Sequence, residues 1–188
     1  TYHGKLVVRK IEPIIDVVPV LKALADDARL MAPASQIFGE PAILFEDKLN
    51  YKPPYVGSAY LLHQDYSYWQ EYTDQLITVV LYLDEATVEN GCLRFIPSSH
   101  KHKLMERQNR SEHFIEMEDP SIAVDAPGKA GSLVFFSCYT AHHSYPNISK
   151  KGRRALLLTY NSISDGDTYP VYKGKHAQRC QEWLKSNS

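Results

Sequence analysis

A chain of 188 residues, 44% of them hydrophobic, is the size of one domain with a core of its own, so a single domain over residues 1–188 is expected. The net charge of −1, with Lys and Arg dispersed, offers no basic stripe for a nucleic-acid backbone. No apolar run is long enough to span a bilayer, and Cys92, Cys138 and Cys180 are too few and too widely spaced for a disulfide framework.

These features point to a cytoplasmic protein with free thiols and no membrane partner. The opening Thr1-Tyr2-His3-Gly4-Lys5 lacks the charged-then-apolar order of a signal peptide. Because the first residue is not Met, upstream residues, and some loops, are expected to be missing. Oligomeric state is not legible.

In chain order, apolar residues at helical spacing (Val17, Leu21, Leu24, Ala25, Ala28) predict an amphipathic helix from Val17 to Met31, with Asp16 as its N-cap. Short β-type runs follow: Ile43 to Tyr51, Ser58 to His63, Leu76 to Leu83, Cys92 to Ile96, Ile122 to Val124, Ser132 to Ser137 and Arg154 to Tyr160. Turn signals separate them, among them Lys52-Pro53-Pro54-Tyr55-Val56-Gly57, Glu89-Asn90-Gly91 and Ala126-Pro127-Gly128. A short helix through His176 to Leu184 closes the chain. Strands broken by Gly and Pro at this rate imply a sandwich or barrel, and the double-stranded β-helix is the member of that class that hosts metal centres of the kind described next.

His63-Gln64-Asp65 carries the chemistry. On an extended backbone, residues two apart share a face, so His63 and Asp65 can address one metal ion while Gln64 points elsewhere. Two imidazoles and one carboxylate cap one face of an octahedral ferrous ion and leave cis positions free for a chelating cosubstrate and dioxygen. The third ligand must come from a distant strand, and His142-His143 supplies two candidates of which alternation lets only one reach the ion. The triplet alone is weak, since a chain of this composition holds on the order of one by chance, and an acid often orients a histidine without metal.

The triplet does not stand alone. Asn50-Tyr51-Lys52-Pro53-Pro54, Leu62-His63-Gln64-Asp65, Asn90 to Lys101 (NGCLRFIPSSHK), Gly131 to Phe136 (GSLVFF), His142-His143-Ser144-Tyr145-Pro146-Asn147 and Arg153-Arg154-Ala155 follow in an order that resembles the phytanoyl-CoA dioxygenase family. The likeness covers about three-quarters of the chain, and several motifs in order are far more specific than any one.

The resemblance implies a mainly β protein, a double-stranded β-helix (jelly roll, cupin-like) core with flanking α-helices. It implies an oxygenase using Fe(II), 2-oxoglutarate and O2, with His63, Asp65 and His142 as metal ligands and catalytic centre. His142 rather than His143 matches the family's His-x-Ser-x-x-Asn pattern. Arg153 falls at the position that pairs with the distal carboxylate of 2-oxoglutarate, with Arg154 the competing candidate. Ser144, Lys48 and Gln64 match positions that approach the cosubstrate.

Strand alternation sets Arg153, Ala155, Leu157 and Thr159 on one face and Arg154, Leu156, Leu158 and Tyr160 on the other. The Tyr66-Ser67-Tyr68-Trp69 run suits a pocket wall as well as a core. His100 and His102 sit in a turn and are not expected to bind metal.

The implied reaction is hydroxylation of an aliphatic C–H of a small hydrophobic or amphipathic metabolite, with release of succinate and CO2. Related halogenases replace the carboxylate ligand with a small residue, so the retained Asp65 favours hydroxylation. Desaturation, cyclisation and endoperoxide formation use the same residues. A non-catalytic jelly-roll binding module remains the alternative of a different class, and its mark would be a broken triad or a missing arginine.

Overall fold

The computed structural model describes residues 6–105, 113–115 and 119–187. The reading of Thr1 to Lys5 therefore lies outside the described residues. In chain order the elements are β1 (Lys10–Ile11), α1 (Pro19–Ala25), α2 (Ala28–Phe38), β2 (Ala42–Lys52), β3 (Tyr60–His63), β4 (Leu76–Tyr82), β5 (Leu93–Phe95), β6 (Val124–Ala126), β7 (Leu133–Ser137), β8 (His142–Ser144), β9 (Arg153–Ser162) and α3 (Tyr169–Ser186). The strands form two antiparallel sheets, one ordered β1-β2-β9-β4-β7 and the other β3-β8-β5-β6. This is the jelly roll expected from the sequence, with α1 and α2 packed on the outside of the larger sheet.

The strand β9 shows why the two sides differ. Leu156, Leu158 and Tyr160 face α1 and α2 and pack with Ala25, Leu30, Ala34, Ile77 and Val79. Arg153, Ala155 and Leu157 face the other way, into a cavity between the sheets, as alternation predicts. Each fully buried aliphatic side chain in the helix-side cluster contributes about 1.5–3 kcal/mol of burial. That cluster fixes the larger sheet as a rigid back wall.

Several boundaries depart from expectation for identifiable reasons. The helix predicted over Val17 to Met31 is two helices, because Asp27 breaks it and caps the second, its carboxylate accepting from Arg29 N at 2.8 Å. Asp16 caps neither; the N-cap of α1 is Val18, with Pro19 opening the helix. The second helix runs on through Pro33 and ends where Gly39 adopts φ +75°. The terminal helix starts at Tyr169, earlier than predicted. Ile122 belongs to a 3-10 turn and the strand begins at Val124.

Two strands, β1 and β8, had no strand run assigned to them in the sequence. Each is two or three residues long, too short for a periodic signal. Cys92 and Cys138 are buried free thiols as expected, and Cys180 is exposed. No helix among the described residues is long and apolar enough to cross a membrane.

Candidate metal centre

The antiparallel pairing of β3 with β8 places His63 directly opposite His142. Residues opposite one another share a face of the sheet, so both imidazoles project to the same side, with ring centroids 4.3 Å apart. After His63 the strand ends, yet Gln64 keeps an extended backbone (φ −113°, ψ 131°), which returns Asp65 to the face of His63. Asp65 then opens a 3-10 turn over Asp65–Tyr68, held by Tyr66 N donating to Cys138 O at 3.1 Å.

These three side chains converge. Asp65 Oδ1 lies 3.6 Å from His63 Nε2 and 3.9 Å from His142 Nε2. Their ligand atoms all lie within 4.8 Å of one another, and no other group of three or more His, Cys, Asp or Glu among the described residues does so. His63 Nδ1 is 2.7 Å from Leu61 O and His142 Nδ1 is 2.9 Å from Thr140 O. A carbonyl can only accept, so both Nδ1 atoms carry a proton and both Nε2 atoms are turned towards Asp65. His143, the rival ligand, is outside this group.

The electrostatics suit a cation. Burial alone would raise the Asp65 carboxyl, but His142, His63 and Lys48 hold it below the usual carboxylate range. Burial and the neighbouring His63 push His142 down to about 4, against the pull of Asp65. His142 is therefore held neutral and Asp65 ionised, a nitrogen lone pair and an anion offered to one ion. Asp65 Oδ2 is buried with no hydrogen-bond partner, an acceptor left over for an ion.

A cavity of about 440 Å³ opens in front of the three residues, lined by both sheets. Arg153 reaches into it, 3% exposed, with Nη2 donating to Gly91 O and Nε unpartnered. No carboxylate among the described residues lies within ion-pair distance of Arg153, and burial pushes its pKa down. A buried cation without a counter-charge is costly and demands an anion. Ser144 lines the same cavity, and its buried hydroxyl has no partner. Arg154 faces the opposite side and pairs with Asp84 at 2.8 Å.

Lys48 also lines the cavity, with Nζ 2.8 Å from Glu46 Oε1. Gln64 does not. Its amide is turned away from the cavity, Nε2 donating to Tyr139 O at 2.6 Å and Lys103 O at 2.8 Å while Oε1 accepts from Met105 N. Gln64 therefore staples the loop behind the turn, which corrects the expectation of a cosubstrate contact there. Tyr68 and Trp69 line the cavity, whereas His100 and His102 are exposed in a 3-10 turn and belong neither to its lining nor to the ligand group.

Residues 7–155 match the family described as phytanoyl-CoA dioxygenase (PhyH). The chain belongs to the phytanoyl-CoA dioxygenase family. Among its PhyH-family relatives, the methylphosphonate hydroxylase of Gimesia maris is 36% identical over 152 residues, covering 81% of this chain and 58% of that protein. EctD from S. alaskensis, solved with 2-oxoglutarate and 5-hydroxyectoine, superposes with a TM-score of 0.74 at 28% identity over 84% of this chain and 57% of EctD. The same protein solved with bound Fe gives a TM-score of 0.72 at 28% identity, over 86% of this chain and 59% of EctD. The chain thus spans less than two-thirds of the length of these PhyH relatives.

Among the cavity residues that went unrecognised in the sequence are two on β2. Glu46 and Asn50 project inward with Lys48 from the same face of β2. The signal was present as polar residues at every second position, Glu46, Lys48, Asn50 and Lys52, although such a stripe is more often solvent-facing. A β-bulge between Leu44 and Glu46 sets this phase, aligning Glu46 with Thr159 of β9.

Proposed function

We propose that this chain is an Fe(II)- and 2-oxoglutarate-dependent dioxygenase that hydroxylates an aliphatic C–H of a small amphipathic metabolite. The balance is one substrate C–H, one 2-oxoglutarate and one O2 consumed for one alcohol, one succinate and one CO2. The observation that carries the reading is the pair of imidazoles whose Nδ1 atoms are bonded to backbone carbonyls, presenting both Nε2 atoms to Asp65 in the cavity that holds Arg153.

His63, Asp65 and His142 would hold the ion, and the donor set of two nitrogens and one oxygen is that of ferrous oxygenases. A ferrous ion bound there supplies dioxygen activation at the expense of 2-oxoglutarate. Arg153 binds the distal carboxylate, a role suited to a planar guanidinium with unused donors. Ser144 donates its free hydroxyl to the same end. The surrounding walls, including Val80, Leu93 and Leu157, exclude bulk water and hold the substrate C–H in place. The family relatives named above, a hydroxylase and a protein solved with 2-oxoglutarate and with Fe, support this assignment.

Anaerobic calorimetric titration tests it. One Fe(II) per chain is expected, with 2-oxoglutarate binding strongly only after the metal and weakly to Arg153→Ala. Equal affinity for 2-oxoglutarate with and without metal would contradict the reading.

A further inference from the structure

Beyond the bulge, β2 presents Glu46, Lys48, Asn50 and Lys52 on its inner face, opposite Thr159, Leu157, Ala155 and Arg153 of β9. The ladder therefore has two ends, roughly 20 Å apart by strand rise over six residues. Arg153 and Lys52 mark one end and Glu46 with Thr159 the other. The proposed cosubstrate anchor lies at the first end, which leaves the second for substrate and moves Lys48 there from the cosubstrate contact expected of it.

That second end is charged and dry. Glu46 is 0% exposed although it lines the cavity. Its Oε1 lies 2.8 Å from Lys48 Nζ and its Oε2 accepts from Thr159 Oγ1 at 3.1 Å. Lys48 Nζ also sits 5.4 Å from the Trp69 ring centroid. Glu46 and Lys48 line the same cavity as His63, Asp65 and His142, so the pair faces the space in front of the proposed metal. A buried ion pair adds little to stability over an apolar pair of the same volume, so stability alone does not account for this one.

We propose that Glu46 and Lys48 recognise a small zwitterionic substrate, Glu46 taking its ammonium group and Lys48 its anionic group. The inference rests on the dioxygenase reading above. A substrate carrying only an anion meets the Glu46 carboxylate beside Lys48, and one carrying only a cation meets Lys48 beside Glu46. A neutral molecule displaces water from both charges and returns nothing to them. A zwitterion laid head-to-tail on the pair gives each charge a second partner of opposite sign.

Alternation of sign continues towards the cavity mouth. Glu12 pairs with Lys10 at 2.5 Å, accepts from Tyr172 Oη at 2.6 Å and lies 3.4 Å from His176 Nδ1. All four of these residues line the cavity.

The test loads the protein anaerobically with Fe(II) and 2-oxoglutarate and titrates matched probes by calorimetry. L-Proline and 2-aminoethylphosphonate serve as zwitterions, cyclopentanecarboxylate and ethylphosphonate as anions, pyrrolidine and ethylamine as cations. Each zwitterion is expected to bind at least ~10-fold more tightly than either partner probe, a difference of about 1.4 kcal/mol. Glu46→Gln should erase the preference for the zwitterion over its anion; should that variant fail to fold, Lys48→Met must erase the preference over the cation. A panel blind to charge on loaded protein, or no measurable binding of either zwitterion, overturns the inference alone. Failure of the loading step overturns the dioxygenase reading and the inference with it.

Discussion

Arg153 and Arg154 are adjacent in β9 and project from opposite faces of the sheet. Arg153 is buried in the cavity with its Nη2 on the Gly91 carbonyl, whereas Arg154 grips Asp84 on the outside through Nε and Nη2, each at 2.8 Å. One arginine is a buried cation awaiting an anion, and the other is already paired.

Their substitutions should separate cleanly. Arg153→Ala is expected to raise the concentration of 2-oxoglutarate required by roughly 100-fold, about 2.7 kcal/mol, because a desolvated charge-assisted contact is lost. Arg154→Ala should leave that requirement unchanged and cost ~0.2–1 kcal/mol of stability, the scale of an exposed pair. Steady-state titration of 2-oxoglutarate with each variant and urea melts check both.

The two adjacent histidines give the same kind of contrast. His142→Ala should abolish Fe(II) binding, since it removes one of three ligands, while His143→Ala should retain it. Equilibrium dialysis with Fe(II) under argon reads the difference. Retention in His142→Ala with loss in His143→Ala would reverse the ligand assignment.

Ser144 is expected to trade stability for binding. Its buried hydroxyl has no partner among the described residues, and an unsatisfied buried polar group costs ~1–3 kcal/mol. Ser144→Ala should therefore hold or raise the melting temperature of the ligand-free protein while weakening 2-oxoglutarate binding several-fold. A fall in both would assign the hydroxyl a structural role instead.

Lys52 sets a pH signature. It is 1% exposed, donates to Tyr145 O, and burial beside Arg153 pushes its pKa down from 10.5 to about 7. Between these values the unfolded chain binds the proton that the folded chain has released, so stability rises with pH across that window. The contribution is complete above about 10.5 and is lost as pH falls to about 7. Relative to Lys52→Met, the wild type should gain up to ~4 kcal/mol over this range, at ~1.36 kcal/mol per pKa unit with allowance for residual solvation. A flat difference between the two denaturation curves would contradict this.

Much of the site was legible because it depends on short-range geometry. The spacing of His63 and Asp65 requires only one extended residue between them, and the face of Arg153 requires only alternation along β9. The partner of His63 was harder, since β8 has three residues and gains its strand character from pairing with β3 and β5. Gln64 was misassigned because its family position says where the backbone lies and not which carbonyls its amide will find. Glu46 was invisible for a similar reason. An inward polar stripe and an outward one look alike until a bulge and an opposing sheet fix the phase. Asp27 shows the converse at the helices, a local capping preference strong enough to divide one amphipathic pattern into two.

The central claim is that His63, Asp65 and His142 form a ferrous centre that couples 2-oxoglutarate to oxygen. Succinate formation in air, with and without Fe(II), for the wild type and Asp65→Ala, addresses it most directly. The account predicts one succinate per 2-oxoglutarate consumed, dependent on Fe(II), and none from Asp65→Ala that is folded by thermal melting. Metal-independent succinate release, or full activity in Asp65→Ala, would contradict it.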